Sequence, residues 1–374
     1  MDNSEITIFI EPEWVKGSTC IFNIDNPIVK AQAKTKIEEK RKEFINKLIN
    51  EGFIITYNKE DIDENTICLI MDNTSLCDLD VSIEEYERLI NEKISTSGGK
   101  NFHYPLSLSM EEYFSNPFFP AVFKNPNLNG GKDKFLVETE EQLEKIIAFY
   151  EENKDNSKYK DALSCVIFQQ YIKTPSKYDT YLRVLVGGAG EVMGASLKYS
   201  ARTEAKDNLN GLFEQVFLNP NSKYFIGAKK MFNYYSGGAN ISFNQPKYSS
   251  EKQEVLEANG FDVDNLAIPE EIIDVCENIM TKCNREIGVL CGIDFMLNES
   301  DGLWYYLEYQ AFPAIEEWGD ANDIRIKEPK NLKEYLKCLE LELVPRYVGL
   351  MQAVNKRKKM EKEEEKVMLS KIFD

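Results

Sequence analysis

Residues 290–310 read LCGIDFMLNESDGLWYYLEYQ, and the fold turns on this stretch. Two apolar runs, 290–297 and 303–310, flank the turn residues 298–302, which predicts two antiparallel strands with a short connection. Three polar groups interrupt them: Asp294, Glu308 and Gln310. Strand residues two apart point to one face, so Glu308 and Gln310 present their side-chain oxygens together. The short turn lets the partner strand bring Asp294 beside them. Hard oxygen groups converging in otherwise apolar strands suit a divalent cation, Mg2+ or else Mn2+. A buried carboxylate needs such a partner, because burying an unpaired charge is costly. An ordinary hairpin with its polar residues in solvent fits the same pattern.

Upstream, Ala121-Val122-Phe123-Lys124 reads as a strand with one lysine, and Gly130-Gly131 follows six residues later in the turn-rich NPNLNGG. Paired glycines let backbone N–H groups approach a phosphate, and lysine supplies a point charge. A solvent-facing lysine beside a plain hairpin turn is the competing reading. Residues 135–138 predict the returning strand, and Thr139 opens a helix with Gln142 at the capping-box position. Residues 166–172 (VIFQQYI), 181–186 (YLRVLV) and 192–199 (VMGASLKY) predict further strands. The first ends in Gln170-Tyr171-Ile172, whose backbone groups suit an adenine edge. Arg183 and Lys198 interrupt apolar strands, where an unpaired cation is expensive. They either meet phosphates or pair with acidic groups.

The first 90 residues alternate strand and helix: 6–10, then a helix over 31–50 stopped by Gly52, then strands at 53–57 and 66–71. That order predicts a small parallel sheet. Residues 200–265 are polar and least legible; within them, 234–240 (YYSGGAN) lines an acceptor site or forms a surface excursion. A helix is expected from Pro269 to about 287, and 330–374 reads as helical with a purely charged run, 356–366, expected to be solvated.

Composition removes rival chemistries. The chain has 374 residues, a net charge of −18 and one histidine, His103. A Ser-His-Asp triad, a multi-histidine zinc site and a histidine acid/base pair are nearly excluded. So acidic a chain is a poor nucleic-acid or anionic-membrane binder. None of the eight cysteines forms a C-x-x-C pair. The start lacks the pattern of a signal peptide and no run is long and apolar enough for a membrane span, so a cytoplasmic protein with reduced thiols is expected.

The order of lysine strand, glycine turn, helix, QYI segment, arginine hairpin, lysine, polar insert, helix, Asp strand and E-x-Q strand resembles the ATP-grasp superfamily, of the carboxylate–amine/thiol ligase type. The resemblance covers about residues 90–320, and Asp294 and Glu308 stand 14 apart, close to the family's spacing. It implies an α/β architecture: an ATP-grasp fold preceded by a small parallel-sheet domain. The expected units are a leading domain at 1–90, a small lobe at 91–180, a large lobe at 181–350 and a charged helical tail at 351–374.

The resemblance also implies roles. Lys124 and the earlier Lys93 contact phosphates; Gly130 and Gly131 form a lid; Gln170, Tyr171 and Ile172 line the hinge to adenine; and Asp179 meets the ribose. Arg183 and Lys198 face the γ-phosphate or acyl phosphate, Asn240 is a candidate oxyanion donor, and Asp294, Glu308 and Gln310 hold Mg2+. Gln310 departs from the family's Asn, the glycine loop is short, the hinge has Gln for Glu, and Gly292 replaces an arginine of some members. The implied activity is ATP-dependent ligation. It joins a carboxylate to an amine, or a thiol or hydroxyl, on a small molecule, peptide or carrier protein, without nucleic acid or membrane and with a homodimer compatible. A small-molecule kinase of the same fold and a non-catalytic ATP-binding regulator are the alternatives.

Overall fold

The structure, a computed structural model, describes residues 2–12, 27–63, 66–69, 102–125, 132–187, 190–200, 209, 211–231, 239–243, 247–287, 290–310, 343, 347–359, 361–363 and 366. At 29, 68–69, 280–287, 290–291 and 309–310 it describes the backbone alone. Lys93, Gly130 and Gly131 lie outside the described residues.

Strands β1 (Thr7–Ile10), β2 (Ile54–Thr56) and β3 (Ile67–Leu69) pair in parallel in the order β2-β1-β3. Parallel neighbours need a crossover, which α1 (Pro27–Asn50) supplies between β1 and β2. Phe44, Ile45 and Leu48 of α1 share a core with Ile6, Ile8 and Ile10. Gly52, at φ +94°, takes the left-handed conformation that ends the helix. The expected small parallel sheet is present.

The stretch just ahead of the charged run joins this core. Leu350, Ala353 and Val354 are buried in this same N-terminal core. The helical stretch 347–359 is therefore a wall of the leading unit at its start, although charged residues follow. Apolar side chains at positions 347, 350, 351 and 354 recur at helical spacing just ahead of the charged run. Polar contacts fasten it: Arg357 donates to the Thr66 carbonyl at 3.3 Å, Tyr347 to Glu51, and Lys358 to Asn3.

A second sheet has four antiparallel strands in the order β4-β7-β5-β6: β4 (Ser107–Ser109), β5 (Ala121–Lys124), β6 (Lys134–Val137) and β7 (Ile167–Gln170). Helices α2 (Met110–Ser115), α3 (Glu140–Asn153) and α4 (Lys160–Ser164) accompany it. Thr139 caps α3 with the expected reciprocal bond from Gln142. One sheet face carries Phe123, Phe135 and Phe168, which pack with Leu143, Ile146 and Phe149 of α3. The other face carries Val122, Lys124, Lys134, Leu136 and Gln169, as period-two alternation requires.

Part of the polar insert belongs to this unit. Helix α5 (Glu214–Phe217) adds Val216 and Phe217, with Phe213 before it, to the aromatic core. Residues 229–231 then run beside β6: Leu136 N–H donates to the Lys229 carbonyl at 2.8 Å, and Met231 N–H to that of Lys134 at 3.1 Å. Residues 213–217 and 229–231 of the insert thus pack on this unit, while residues 234–238 of the YYSGGAN stretch lie outside the described residues.

The third sheet has five antiparallel strands in the order β10-β9-β8-β11-β12: β8 (Thr180–Gly187), β9 (Val192–Tyr199), β10 (Ala239–Ser242), β11 (Leu290–Leu297) and β12 (Trp304–Gln310). Alternate residues Leu182, Val184, Val186, Leu197, Ile241, Ile293 and Phe295 bury against α6 (Ser250–Ala258) and α7 (Glu270–Ile287). Residues 102–104, expected in the smaller lobe, follow β12 instead: Tyr306 N–H donates to the His103 carbonyl at 2.8 Å. Their rings explain it, since Phe102 and Tyr104 pack beside Tyr306. No helix among the described residues is long and apolar enough to cross a membrane.

Candidate active site

The site is built on the polar face of the five-stranded sheet, the one opposite its apolar core. Directly opposed residues share a face, and the register runs Ser242, Ser196, Arg183, Asp294, Glu308 across all five strands. A second row holds Asn240, Lys198 and Tyr181. Gln310 lies opposite Gly292, so its backbone places it on the Glu308 side.

Glu308 reaches this row through a β-bulge. Simple alternation along β12 would put Glu308 on the same face as Trp304 and Tyr306, inside the apolar core. Asp294 opposes Glu308 while Phe295 opposes Tyr306, so Leu307 is an extra residue. The bulge turns Glu308 to the polar face without exposing Tyr306.

Charge is paired inside the row. Arg183 donates from Nε and from a terminal nitrogen to the two oxygens of Asp294, both at 2.7 Å. Both side chains are buried. Each carboxylate oxygen accepts more than one bond, so Asp294 retains capacity toward a cation. Of the two outcomes open for Arg183, pairing with an acid is the one the free protein adopts.

The four-stranded sheet turns its polar face to this row. Lys124 Nζ lies 3.3 Å from Glu308 Oε2, and Lys134 Nζ lies 3.9 Å from the same oxygen. Lys134 holds the Glu308 carboxyl at about 2, well below the usual carboxylate range, against opposing burial and with help from Lys124 and Arg183. Lys134 was not singled out by the sequence reading. The sequence offers only a lysine at the start of the returning strand; the register of the hairpin is what places Lys134 opposite Lys124.

The residues expected to border an adenine and its ribose are engaged within the protein. Gln170 N–H donates to the Leu106 carbonyl at 2.7 Å, and Tyr171 N–H to that of Pro120 at 3.4 Å. Asp179 accepts from the Tyr171 hydroxyl at 2.7 Å and from Lys229 Nζ at 3.3 Å. Burial and then this bond to Asp179 push the Tyr171 hydroxyl up. Ile172 is buried.

Among the described residues, two buried atoms on the polar face have no hydrogen-bond partner: Ser196 Oγ and Asn240 Oδ1. A buried unsatisfied polar atom is uncommon and calls for a ligand or another explanation. The donor set fits magnesium shared with phosphates. Two carboxylates and one amide-bearing residue lie on one face, and cations stand opposite to receive anionic oxygens. No group of three or more His, Cys, Asp or Glu that could hold a metal occurs among the described residues. Mg2+ characteristically needs only one or two carboxylates when substrate phosphates complete its shell.

No protein-family model and no curated protein matches the chain. Among solved structures it is similar to ATP-grasp ligases. The D-alanine–D-alanine ligase of Bacillus anthracis, complexed with ATP, is 14% identical with a TM-score of 0.36, over 92% of this chain and 97% of that one. The ATP-grasp ligase PsnB, with minimal precursor, Mg and ADP, is 12% identical with a TM-score of 0.35, over 89% and 77%. A Chryseobacterium gregarium RiPP-associated ATP-grasp ligase, with ADP and a leader and core peptide, is 14% identical with a TM-score of 0.33, over 89% and 74%.

Proposed function

We propose that this chain is an ATP-dependent ligase that activates a carboxylate as an acyl phosphate and joins it to an amine. The observation that supports it most is the meeting of Lys124 with Glu308 across two sheets, beside Asp294 and Arg183 in one row. Lysines, arginine and paired carboxylates are what phosphoryl transfer needs, because positioning and electrostatics dominate that chemistry.

In this reading Lys124, with Lys93, holds the phosphates, and Gly130 and Gly131 cover them. Gln170, Tyr171 and Ile172 border the adenine, and Asp179 the ribose. Asp294, Glu308 and Gln310 would hold Mg2+, which supplies charge neutralisation across the phosphates when bound. A carboxylate oxygen of the acid attacks the γ-phosphorus as the bond to the bridging oxygen breaks, and ADP leaves with that electron pair. Arg183 and Lys198 stabilise charge on the transferring group. The amine then attacks the acyl carbon, the carbon–oxygen bond to phosphate breaks, and the amine proton passes to solvent. Asn240 donates to the oxyanion. The acceptor is an amino acid, a peptide or a carrier-bound group. PsnB and the RiPP-associated ligase were solved with peptides, so peptides belong in the screen beside free amines.

Glu308→Gln tests the reading. It should abolish ADP release across a panel of carboxylates and amines while the chain stays folded, with a lowered melting temperature because Lys124 and Lys134 lose the anion between them. Wild-type levels of ADP release by the variant would remove Glu308 from the reaction. Free phosphate alongside ADP marks ligation; ADP without phosphate marks a kinase.

A further inference from the structure

Lys124 and Lys134 sit directly opposite each other on β5 and β6. Like charges so placed repel unless an anion lies between them. Glu308 supplies that anion: its Oε2 is within ion-pair reach of both, yet beyond hydrogen-bond distance of Lys134 at 3.9 Å. Beside it, Asp294 is engaged by Arg183 at 2.7 Å. Three cations therefore share two carboxylates in this cluster.

We propose that Lys134 is a ligand of the nucleotide phosphates that the free protein holds on Glu308, exchanging partners when metal and nucleotide enter. The proposal rests on the ATP-dependent reading and deepens it by one phosphate-facing cation. Phosphate oxygens take the two ammonium groups, and Glu308 turns to the divalent cation. Fully ionised ATP with two magnesium ions is electrically neutral, so the exchange leaves the net charge of the cleft unchanged. Either ligand alone works against the ion pairs: a metal must draw Glu308 from two lysines, and phosphates must draw the lysines from Glu308. Metal and nucleotide binding are therefore positively coupled, and the coupling is reciprocal.

The experiment uses the full chain, calorimetry with MgATP, and Mn2+ alone followed by electron paramagnetic resonance. Lys134→Met should weaken MgATP binding about tenfold, the loss of one charge-assisted contact, and tighten Mn2+ binding in the absence of nucleotide. Lys134→Arg should restore the MgATP affinity. MgATP affinity within about twofold of wild type in Lys134→Met would show that Lys134 is a counter-ion of Glu308 only, and the proposal would fall. If Lys134→Met does not fold, acetylation footprinting of the wild-type chain decides. MgATP should protect Lys134 where Mg2+ alone does not, and equal labelling overturns the assignment. A wild-type chain that binds no MgATP overturns the ligase reading as well, whereas a variant that binds it normally overturns this inference alone.

Discussion

Asp294 and Glu308 look equivalent in the sequence and are not. Glu308 is partly exposed, faces two lysines and reaches its position through the extra residue Leu307. Asp294 is buried and gripped at two oxygens by Arg183. Removing one member of a buried ion pair strands the other charge, which costs about 3–5 kcal/mol. Asp294→Asn should therefore destabilise the protein by about that amount in chemical denaturation, and Glu308→Gln, at a partly exposed site, by less. Loss of activity in Asp294→Asn thus mixes chemistry with folding, and Glu308 gives the cleaner probe. Unchanged stability in Asp294→Asn would mean that the bidentate pair contributes little to the fold.

At the scale of elements, the β5–β6 hairpin is tied to the insert by a buried reciprocal contact. Asp133, at φ +50°, accepts from the N–H groups of Leu212, Phe213 and Glu214 at 3.1, 2.7 and 3.0 Å. Glu214 accepts in return from the Asp133 N–H at 3.0 Å and from Lys230 at 2.9 Å. Gly211 is required there, because a Cβ would collide with the Asp133 carboxylate. The contact fixes the base of the hairpin that bears Lys124 and Lys134. Asp133→Ala leaves these buried N–H groups unpaired, at about 1–3 kcal/mol each before relaxation. It should lower the melting temperature clearly, with Asp133→Asn milder because it keeps an acceptor. Equal melting temperatures for Asp133→Ala and wild type would show the contact to be slack. The strands themselves were legible: β5, β8, β9, β11 and β12 fall within about two residues of the stretches that alternation marked. The insert was not, because α5 has only 4 residues and β10 only 4, too short for a periodicity to register.

At the scale of the molecule, the chain closes its first unit with its last described helix. Val354 has no exposed surface, in the core that holds Ile8 and Leu48. A carboxylate there meets an apolar setting with no partner arranged for it. Val354→Asp should unfold the N-terminal unit and open residues 1–63 to limited proteolysis, while Lys356→Ala, at a partly exposed pair with Glu277, should not. Resistance to protease in Val354→Asp would detach the C-terminal helix from the stability of that unit.

The sequence by itself determined the strands, the turns, the α3 cap and the placing of Asp294, Glu308 and Gln310 on one hairpin. These follow from interactions a few residues long: side-chain alternation, glycine and asparagine at turns, a Thr-to-Gln cap. The sequence also excluded a multi-histidine metal site and a histidine acid/base pair, since one histidine cannot supply two. Only the tertiary structure decided which charges meet. Arg183 finds Asp294 across 111 residues, and Glu308 finds Lys124 and Lys134 from another sheet. The fate of the C-terminal helix, the division of the insert between two sheets and the bulge at Leu307 were settled in the same way. Each depends on burying apolar surface and pairing charge between segments far apart in the chain, and local sequence carries no record of that partner.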